Sequence, residues 1–215
     1  ERLNIDPSKI EVMVPLAVPA PRGNPSQAEL EHVRRKYALP EHFILMIGTV
    51  EPRHNHQAVF AALADAASPA GVVVCGRRTA WSDYLLGYAR ARRIAARVDF
   101  IYELTPSDLP ALFRLARVFA YLPDADAEAS VVPVVEALRA GLPMVLSDTQ
   151  VNREAAGEAA AYVRPEARGE VLAALENALE DVSWRRTMQE RERRRAELFS
   201  EYAVAERLMQ IYTSL

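Results

Sequence analysis

Phe43-Ile44-Leu45-Met46-Ile47-Gly48-Thr49-Val50-Glu51-Pro52-Arg53-His54-Asn55 joins an unbroken apolar run to a glycine and a short polar loop. Apolar residues in sequence, with no polar alternation, suit a strand covered on both faces. A second run ends the same way, Val72-Val73-Val74-Cys75-Gly76. Three more follow: Val98-Asp99-Phe100-Ile101, Val118-Phe119-Ala120-Tyr121-Leu122 and Met144-Val145-Leu146. Helical spacing fills the intervals. Residues 57–67 place Val59, Phe60 and Leu63 on one side, residues 81–95 are laced with arginine, and residues 106–116 carry Leu109, Leu112, Phe113 and Leu115. Such alternation predicts βαβ units, and so an α/β three-layer domain with a parallel sheet of about six strands and right-handed crossovers. In open parallel sheets ligands bind at the carboxyl ends of the strands, where Gly48 and Gly76 fall.

The flanks differ from this rhythm. Residues 9–14 read as one isolated strand, followed by a linker marked by Pro15, Pro19, Pro21 and Pro25. Ser26 with Glu29 forms a capping box that starts a helix. From Glu170 onward the chain reads as nearly all helical, with breaks near Ser183 and Ser200.

Composition sets the outer limits. Of 215 residues 50% are hydrophobic and 26% charged, which suits a folded chain and excludes a disordered one. At roughly 150 residues per domain, the length suits one large domain or one with appendages. The 26 basic and 29 acidic residues leave a net charge of −3, so no bulk attraction to nucleic acid is expected. No apolar run nears the ~18 residues of a membrane helix, and no signal peptide is visible. The single cysteine, Cys75, has no partner for an intramolecular disulfide and reads as a buried strand residue in a reducing compartment, which suggests a cytoplasmic location. The chain begins at Glu1 rather than Met, as expected for part of a longer protein. It holds only 8 glycines, about half the ~15 that a usage of roughly 7% gives.

The segment richest in chemistry is Glu128-Ala129-Ser130-Val131-Val132-Pro133-Val134-Val135-Glu136-Ala137-Leu138-Arg139-Ala140-Gly141-Leu142-Pro143. It follows a strand, and Pro133 suits the first turn of a helix. Glu128 then falls in a loop and Glu136 in the first turns of that helix. A helix N-terminus carries unpaired N–H groups and partial positive charge, a natural seat for a diphosphate. Carboxylates flanking that seat could accept hydrogen bonds from sugar and ribose hydroxyls.

Two glutamates separated by seven residues, then Ala and a Gly-x-Pro turn, resemble the donor-site motif of retaining family-four (group 1) glycosyltransferases of the GT-B fold. Residues 47–55 resemble that family's first strand and phosphate loop, usually Gly-Thr-Leu-Glu-Pro-Arg-Lys-Asn, and Val74-Cys75-Gly76 resembles its second strand. Residues 109–122 resemble the helix and strand that lead into the motif, 154–160 the segment after it, and 199–215 the final helix crossing back to the other domain. Together the likeness covers about residues 9–215. It implies a Rossmann-like, nucleotide-sugar-binding half of a two-domain enzyme: residues 1–25 ending the other domain and its linker, 26–200 the donor domain, and 201–215 the crossover helix. By resemblance Glu136 would bind ribose hydroxyls, Glu128 would hold the donor sugar and Arg53 would neutralise the diphosphate leaving group. Gly48, Thr49 and His54 would lie at the phosphates, Gly76 and Arg77 would line the same cleft, Ile101 and Tyr102 would frame the base, and Ser130, Val131 and Val132 would lie beside the donor. No cofactor and no metal are implied. The partners implied are a nucleotide sugar and, through the other domain, an acceptor glycan or lipid-linked saccharide, with peripheral membrane contact as an option.

The sequence departs from the family in three places. The usual lysine beside Arg53 is His54, which supplies less positive charge near neutral pH. The usual Gly-Phe-Gly after the first glutamate is Ala129-Ser130-Val131, which restricts close backbone approach. The usual glycine of the base-binding turn is Tyr102. These keep two other readings in view: a binding or scaffold module with a degenerate site, and a sugar-nucleotide epimerase or phosphorylase of the same fold.

Plainer readings apply to several side chains. Arg53 could pair with Glu51. His54 and His56 form a His-x-His pattern without a carboxylate or cysteine at ligand spacing. Asp124, Asp126 and Glu128 read as an acidic loop rather than a metal motif. The cluster Arg185, Arg186, Arg191, Arg193, Arg194 and Arg195, interleaved with Glu190, Glu192 and Glu197, reads as a solvated helix with i,i+4 pairs or as a patch toward an anionic membrane. Trp81 and Trp184 read as packing residues.

Overall fold

The computed structural model describes residues 6, 10, 24–124 and 130–213. The strand expected at 9–14 (of which Ile10 alone is described), the prolines Pro15, Pro19 and Pro21, and Asp126, Glu128 and Ala129 lie outside the described residues.

Each expected apolar run forms a strand: β1 (Phe43–Ile47), β2 (Gly71–Cys75), β3 (Val98–Ile101), β4 (Val118–Tyr121) and β5 (Met144–Ser147). A sixth, β6 (Ala161–Val163), closes one edge. All pairings are parallel, in the order β3-β2-β1-β4-β5-β6. Because successive strand side chains point to opposite faces, one sheet makes two cores. Phe43, Leu45, Val73, Cys75, Phe119 and Tyr121 face one way, whereas Ile44, Met46, Val72, Val74, Val118 and Ala120 face the other.

Helices cover both faces. On the first lie α1 (Gln27–Lys36), α4 (Leu109–Leu115), α5 (Val132–Ala140) and α6 (Gln150–Ala156), contributing Val33, Leu112, Phe113, Val134, Leu138 and Ala155. On the second lie α2 (His56–Asp65), α3 (Ala80–Ala91) and α7 (Arg168–Glu180), contributing Phe60, Leu63, Leu85, Val171 and Leu175. The capping box forms as expected: the Glu29 amide donates to the Ser26 hydroxyl at 3.3 Å, and the Ser26 amide donates to Glu29 Oε2 at 2.7 Å. Helix α3 stops at Ala91, short of the expected 95, and Arg93 turns the chain with φ 59°.

The helical tail breaks where the serines suggested. Asp181 caps α8 (Val182–Ala196) by accepting from the Trp184 amide at 2.9 Å, and α9 (Glu201–Thr213) starts after Ser200. Helix α9 buries no residue and leaves Tyr202, Met209 and Tyr212 exposed. Helix α8 departs from the expected solvated face. Arg185 donates to the carbonyls of Ala178 and Leu179, Arg191 to that of Glu158, and Arg195 to those of Ala155 and Glu154. None of these arginines forms an ion pair within α8 among the described residues. Unpaired carbonyls at the ends of α6 and α7 are nearer acceptors than the glutamates on their own helix. Glu192, far from solvated, is fully buried, and neither carboxyl oxygen has a hydrogen-bond partner.

Candidate functional site

The strand order reverses between β1 and β4. The helix after β1 (α2) packs on one face and the helix after β4 (α5) on the other, so a crevice opens at the carboxyl ends of these two central strands. Apart from Ile101, the last residue of β3, every described residue expected at the site belongs to a connection on this edge or to the first turns of α5.

The β1 and β2 ends are held together by backbone. The register pairs Ile47 with Cys75 and brings Gly48 opposite Gly76. Gly48 donates to the Cys75 carbonyl at 3.0 Å, Gly76 to the Ile101 carbonyl at 3.0 Å, and Val50 to the Arg77 carbonyl at 3.1 Å. A Cβ on Gly76 would lie 1.7 Å from the Gly48 carbonyl oxygen, so the space a side chain would need is filled by the neighbouring strand end. Gly48 itself has φ +144°, and a Cβ there would meet the His54 ring at 3.2 Å. Thr79 reinforces the join by donating its hydroxyl to the Val50 carbonyl.

His54, expected at the phosphates, is instead 5% exposed, with Nδ1 2.5 Å from the Thr49 carbonyl oxygen. It holds the loop from beneath, its ring 6.0 Å from His56 and 6.3 Å from Tyr121. His56 is buried beside it, and burial, with His54 next to it, depresses its pKa to about 4. Its Nδ1 has no partner. Arg53 turns the other way, half exposed, and donates through Nε to Glu51 Oε2 at 2.6 Å. The Arg53–Glu51 contact is therefore made, on the rim of the crevice.

Asn55 joins the two sides. It adopts the left-handed conformation (φ 51°, ψ 35°), which asparagine tolerates better than most residues, and donates through Nδ2 to the Leu122 carbonyl at 2.9 Å and to Asp124 Oδ1 at 2.6 Å. The Asp124 amide donates back to the Arg53 carbonyl at 2.9 Å. The loop after β1 and the loop after β4 are thus bonded to each other across the switch point. Asn55 and Thr79 were not expected site residues. The signal for Asn55 lay in its position, one residue before a helix in a loop needing a positive φ.

On the β4 side the arrangement is looser. Helix α5 starts at Val132 with Pro133 in its first turn, and Val131 precedes it without any side-chain cap. Ser130 and Val132 are exposed, and Val131 packs partly into the core. The Glu136 carboxyl is half-buried, and burial alone raises its pKa above the usual carboxylate value. Glu128, the other glutamate of the motif, lies outside the described residues. At the β3 end Ile101 belongs to the core, 6% exposed, so its side chain does not reach the crevice as expected. Its carbonyl anchors Gly76, whereas Tyr102, stacked on Phe100 with ring centroids 5.6 Å apart and Arg78 over its face, lies at the crevice edge. Arg77 is exposed beside it. Among the described residues no three His, Cys, Asp or Glu side chains are grouped as metal ligands would be, and no helix is long and apolar enough to cross a membrane.

The fold and the switch-point crevice define a Rossmann-like half of a GT-B architecture. A family model described as glycosyl transferases group 1 matches residues 29–195. The chain belongs to the group 1 glycosyltransferase family. It is 29% identical over 181 residues to the O-antigen chain mannosyltransferase B of Escherichia coli, covering 81% of this chain and 47% of that protein. It spans, therefore, about half the length of this curated relative. Among solved structures, WaaG, a glycosyltransferase involved in lipopolysaccharide biosynthesis, superposes with a TM-score of 0.78 at 18% identity, covering 96% of this chain and 57% of WaaG. Anabaena HepE in complex with UDP gives a TM-score of 0.78 at 16% identity, covering 89% and 54%.

Proposed function

We propose that this chain is the donor-binding half of a retaining hexosyltransferase that takes a nucleotide-diphosphate sugar and transfers its glycosyl group to a saccharide or lipid-linked acceptor. The observation that supports the proposal is that Gly48, Thr49, Gly76 and Arg77, at the ends of β1 and β2, and Glu136, in the first turns of α5, flank the β1/β4 switch point. HepE, solved with UDP, and the mannosyltransferase of E. coli lend the substrate class.

The residues divide the work as follows. Glu136 accepts hydrogen bonds from the ribose hydroxyls, and its raised pKa marks a carboxylate short of solvent that gains from two such donors. The diphosphate lies over Gly48, Thr49 and Arg77, with the uncapped start of α5 supplying N–H groups. Arg53 exchanges Glu51 for the departing diphosphate, whose developing charge it stabilises as the anomeric C–O bond breaks. The acceptor hydroxyl forms the new bond at the anomeric carbon and gives up its proton to a phosphate oxygen of the departing diphosphate. Tyr102 offers its ring to the base, and Glu128 holds the sugar. The acceptor is bound chiefly by the partner half-domain, against which the exposed face of α9 packs. No metal is required, and the enzyme works in the cytoplasm.

A thermal-shift panel of UDP-, GDP-, ADP- and dTDP-sugars tests this directly. Stabilisation by at least one class is expected, and it names the base. The second reading, a module whose donor site is degenerate, draws on the burial of His54 and the Arg53–Glu51 pair. No stabilisation by any member of the panel would select it.

A further inference from the structure

Beside the crevice runs a second concavity of about 420 Å³, bounded by the start of α2, the outer face of α3 and the start of α7. Its volume lies within the range of small-molecule sites. Two kinds of surface line it. Tyr84 and Tyr88 present rings from α3, four residues apart on one face of the helix, with centroids 6.3 Å apart. Tyr84 is 47% exposed although its other side stacks on Trp81 at 4.0 Å, so the ring is fixed while a broad apolar area faces solvent. Arg92 lies over Tyr88 at 5.0 Å and steadies that ring too. Opposite stand planar polar groups: Asn55, Gln57, Asp124, Glu166 and Arg168.

We propose that this groove binds a saccharide chain, as an outer subsite for the acceptor or product glycan. The inference rests on the transferase reading above and extends it. A pyranose ring has an apolar face of C–H groups and a rim of hydroxyls, so it needs a flat aromatic surface on one side and donor-acceptor groups on the other. The groove supplies both. Charge argues for a neutral ligand over a phosphate or a nucleic acid. Arg168 is already paired with Asp65, and Asp124 and Glu166 add negative charge, so the lining holds no cationic excess. Continuity fixes the connection. Asn55 and Asp124, bonded to each other, line the groove and also join the two loops of the switch point. A glycan extending from the donor crevice would therefore pass onto the tyrosines.

The test is an NMR titration of the full chain with short α-linked manno-oligosaccharides and, in a parallel arm, β-linked gluco-oligosaccharides, with binding of UDP, GDP, ADP and dTDP measured by calorimetry on the same samples. Amide shifts should centre on residues 55–61, 84–88 and 166–168. The double variant Tyr84→Ala/Tyr88→Ala should bind the saccharide at least tenfold more weakly, with nucleotide affinity unchanged. The double variant Tyr84→Phe/Tyr88→Phe, which keeps both rings, should bind as the parent does. No shifts with either series, shifts centred elsewhere, or full affinity in the double alanine variant would overturn the proposal. Failure of saccharide binding with nucleotide binding intact counts against the groove alone, and absence of binding of UDP, GDP, ADP and dTDP alike by the parent chain counts against the donor reading.

Discussion

The two sides of the switch point are built differently. On the β1 side two strand ends meet glycine to glycine, His54 packs beneath the loop and Asn55 clamps it to the neighbouring strand end. On the β4 side a helix begins without a cap and Glu136 sits half-buried with no charged neighbour setting its pKa. The β1 loop is held in place by its own protein contacts; the β4 side carries groups that a ligand would satisfy. A phosphate loop that must hold its backbone in place and a carboxylate that must accept hydroxyls call for this division.

The difference can be broken from either side, and the largest effect is expected at Gly76. Gly76→Ala puts a methyl into the Gly48 carbonyl and should cost about 3 kcal/mol through forced separation of β1 and β2. Urea unfolding measures it, and a loss under ~1 kcal/mol would mean the strand ends part easily.

The titrating groups behind the two sides should respond to pH in opposite senses. Glu192 lies on α8, which packs on α5, and burial pushes its pKa up to about 9. A raised carboxyl is harmless while both folded and unfolded states are protonated. As pH climbs from 4.5 towards 9 only the unfolded state releases the proton, so stability falls, by on the order of 3 kcal/mol at neutral pH. Glu192→Leu should remove this slope and raise the neutral-pH melting temperature. On the β1 side His56 is held neutral, so stability is present above pH 6.5 and is lost as pH drops to about 4. Denaturant titrations of parent and Glu192→Leu across pH 4 to 9 separate the two. Equal slopes in both proteins would contradict the assignment to Glu192.

A subtler effect falls on ligand binding. Glu136→Gln should leave folding intact but weaken nucleoside-diphosphate binding by about 2 kcal/mol, the loss of charged hydrogen bonds to hydroxyls. In the parent that affinity should decline on acidification while pH is still above the usual carboxylate range, because burial has raised the group. The smallest effect is Asn55→Ala, which removes two hydrogen bonds and the residue best suited to the left-handed turn, about 1–2 kcal/mol of stability. It should also weaken nucleotide binding slightly by loosening the β1 loop.

Much of this architecture is legible in the residues themselves. Strands buried on both faces must be apolar throughout, so β1, β2, β4 and β5 announce themselves, while the edge strand β3 shows a run interrupted by the exposed Asp99. Strand β6 does not announce itself: of its three residues on a sheet edge only Val163 is buried, which needs no such run. The glycines could be placed at strand ends, yet their mutual contact depends on register, which pairs Ile47 with Cys75 and is set by the whole sheet. His54 looked like a weaker substitute for a phosphate-binding lysine. Only packing shows the ring turned inward beneath Gly48. The arginines of α8 followed neighbouring carbonyls rather than their own helix, a tertiary choice that no i,i+4 count contains. The scarcity of glycine also gains a place: Gly48 and Gly76 remain where backbones touch, and Tyr102 stands at the rim, where a side chain has room.

The most direct measurement is calorimetric titration of the chain and of Glu136→Ala with UDP and the other nucleoside diphosphates, read beside amide shifts. A donor site at the switch point predicts saturable binding of one nucleotide by the parent. It also predicts shifts at Gly48, Thr49, Arg77, Tyr102 and Val131 to Glu136, and at least tenfold weaker binding by the variant. Unchanged affinity in Glu136→Ala, or shifts confined to another surface, would contradict it.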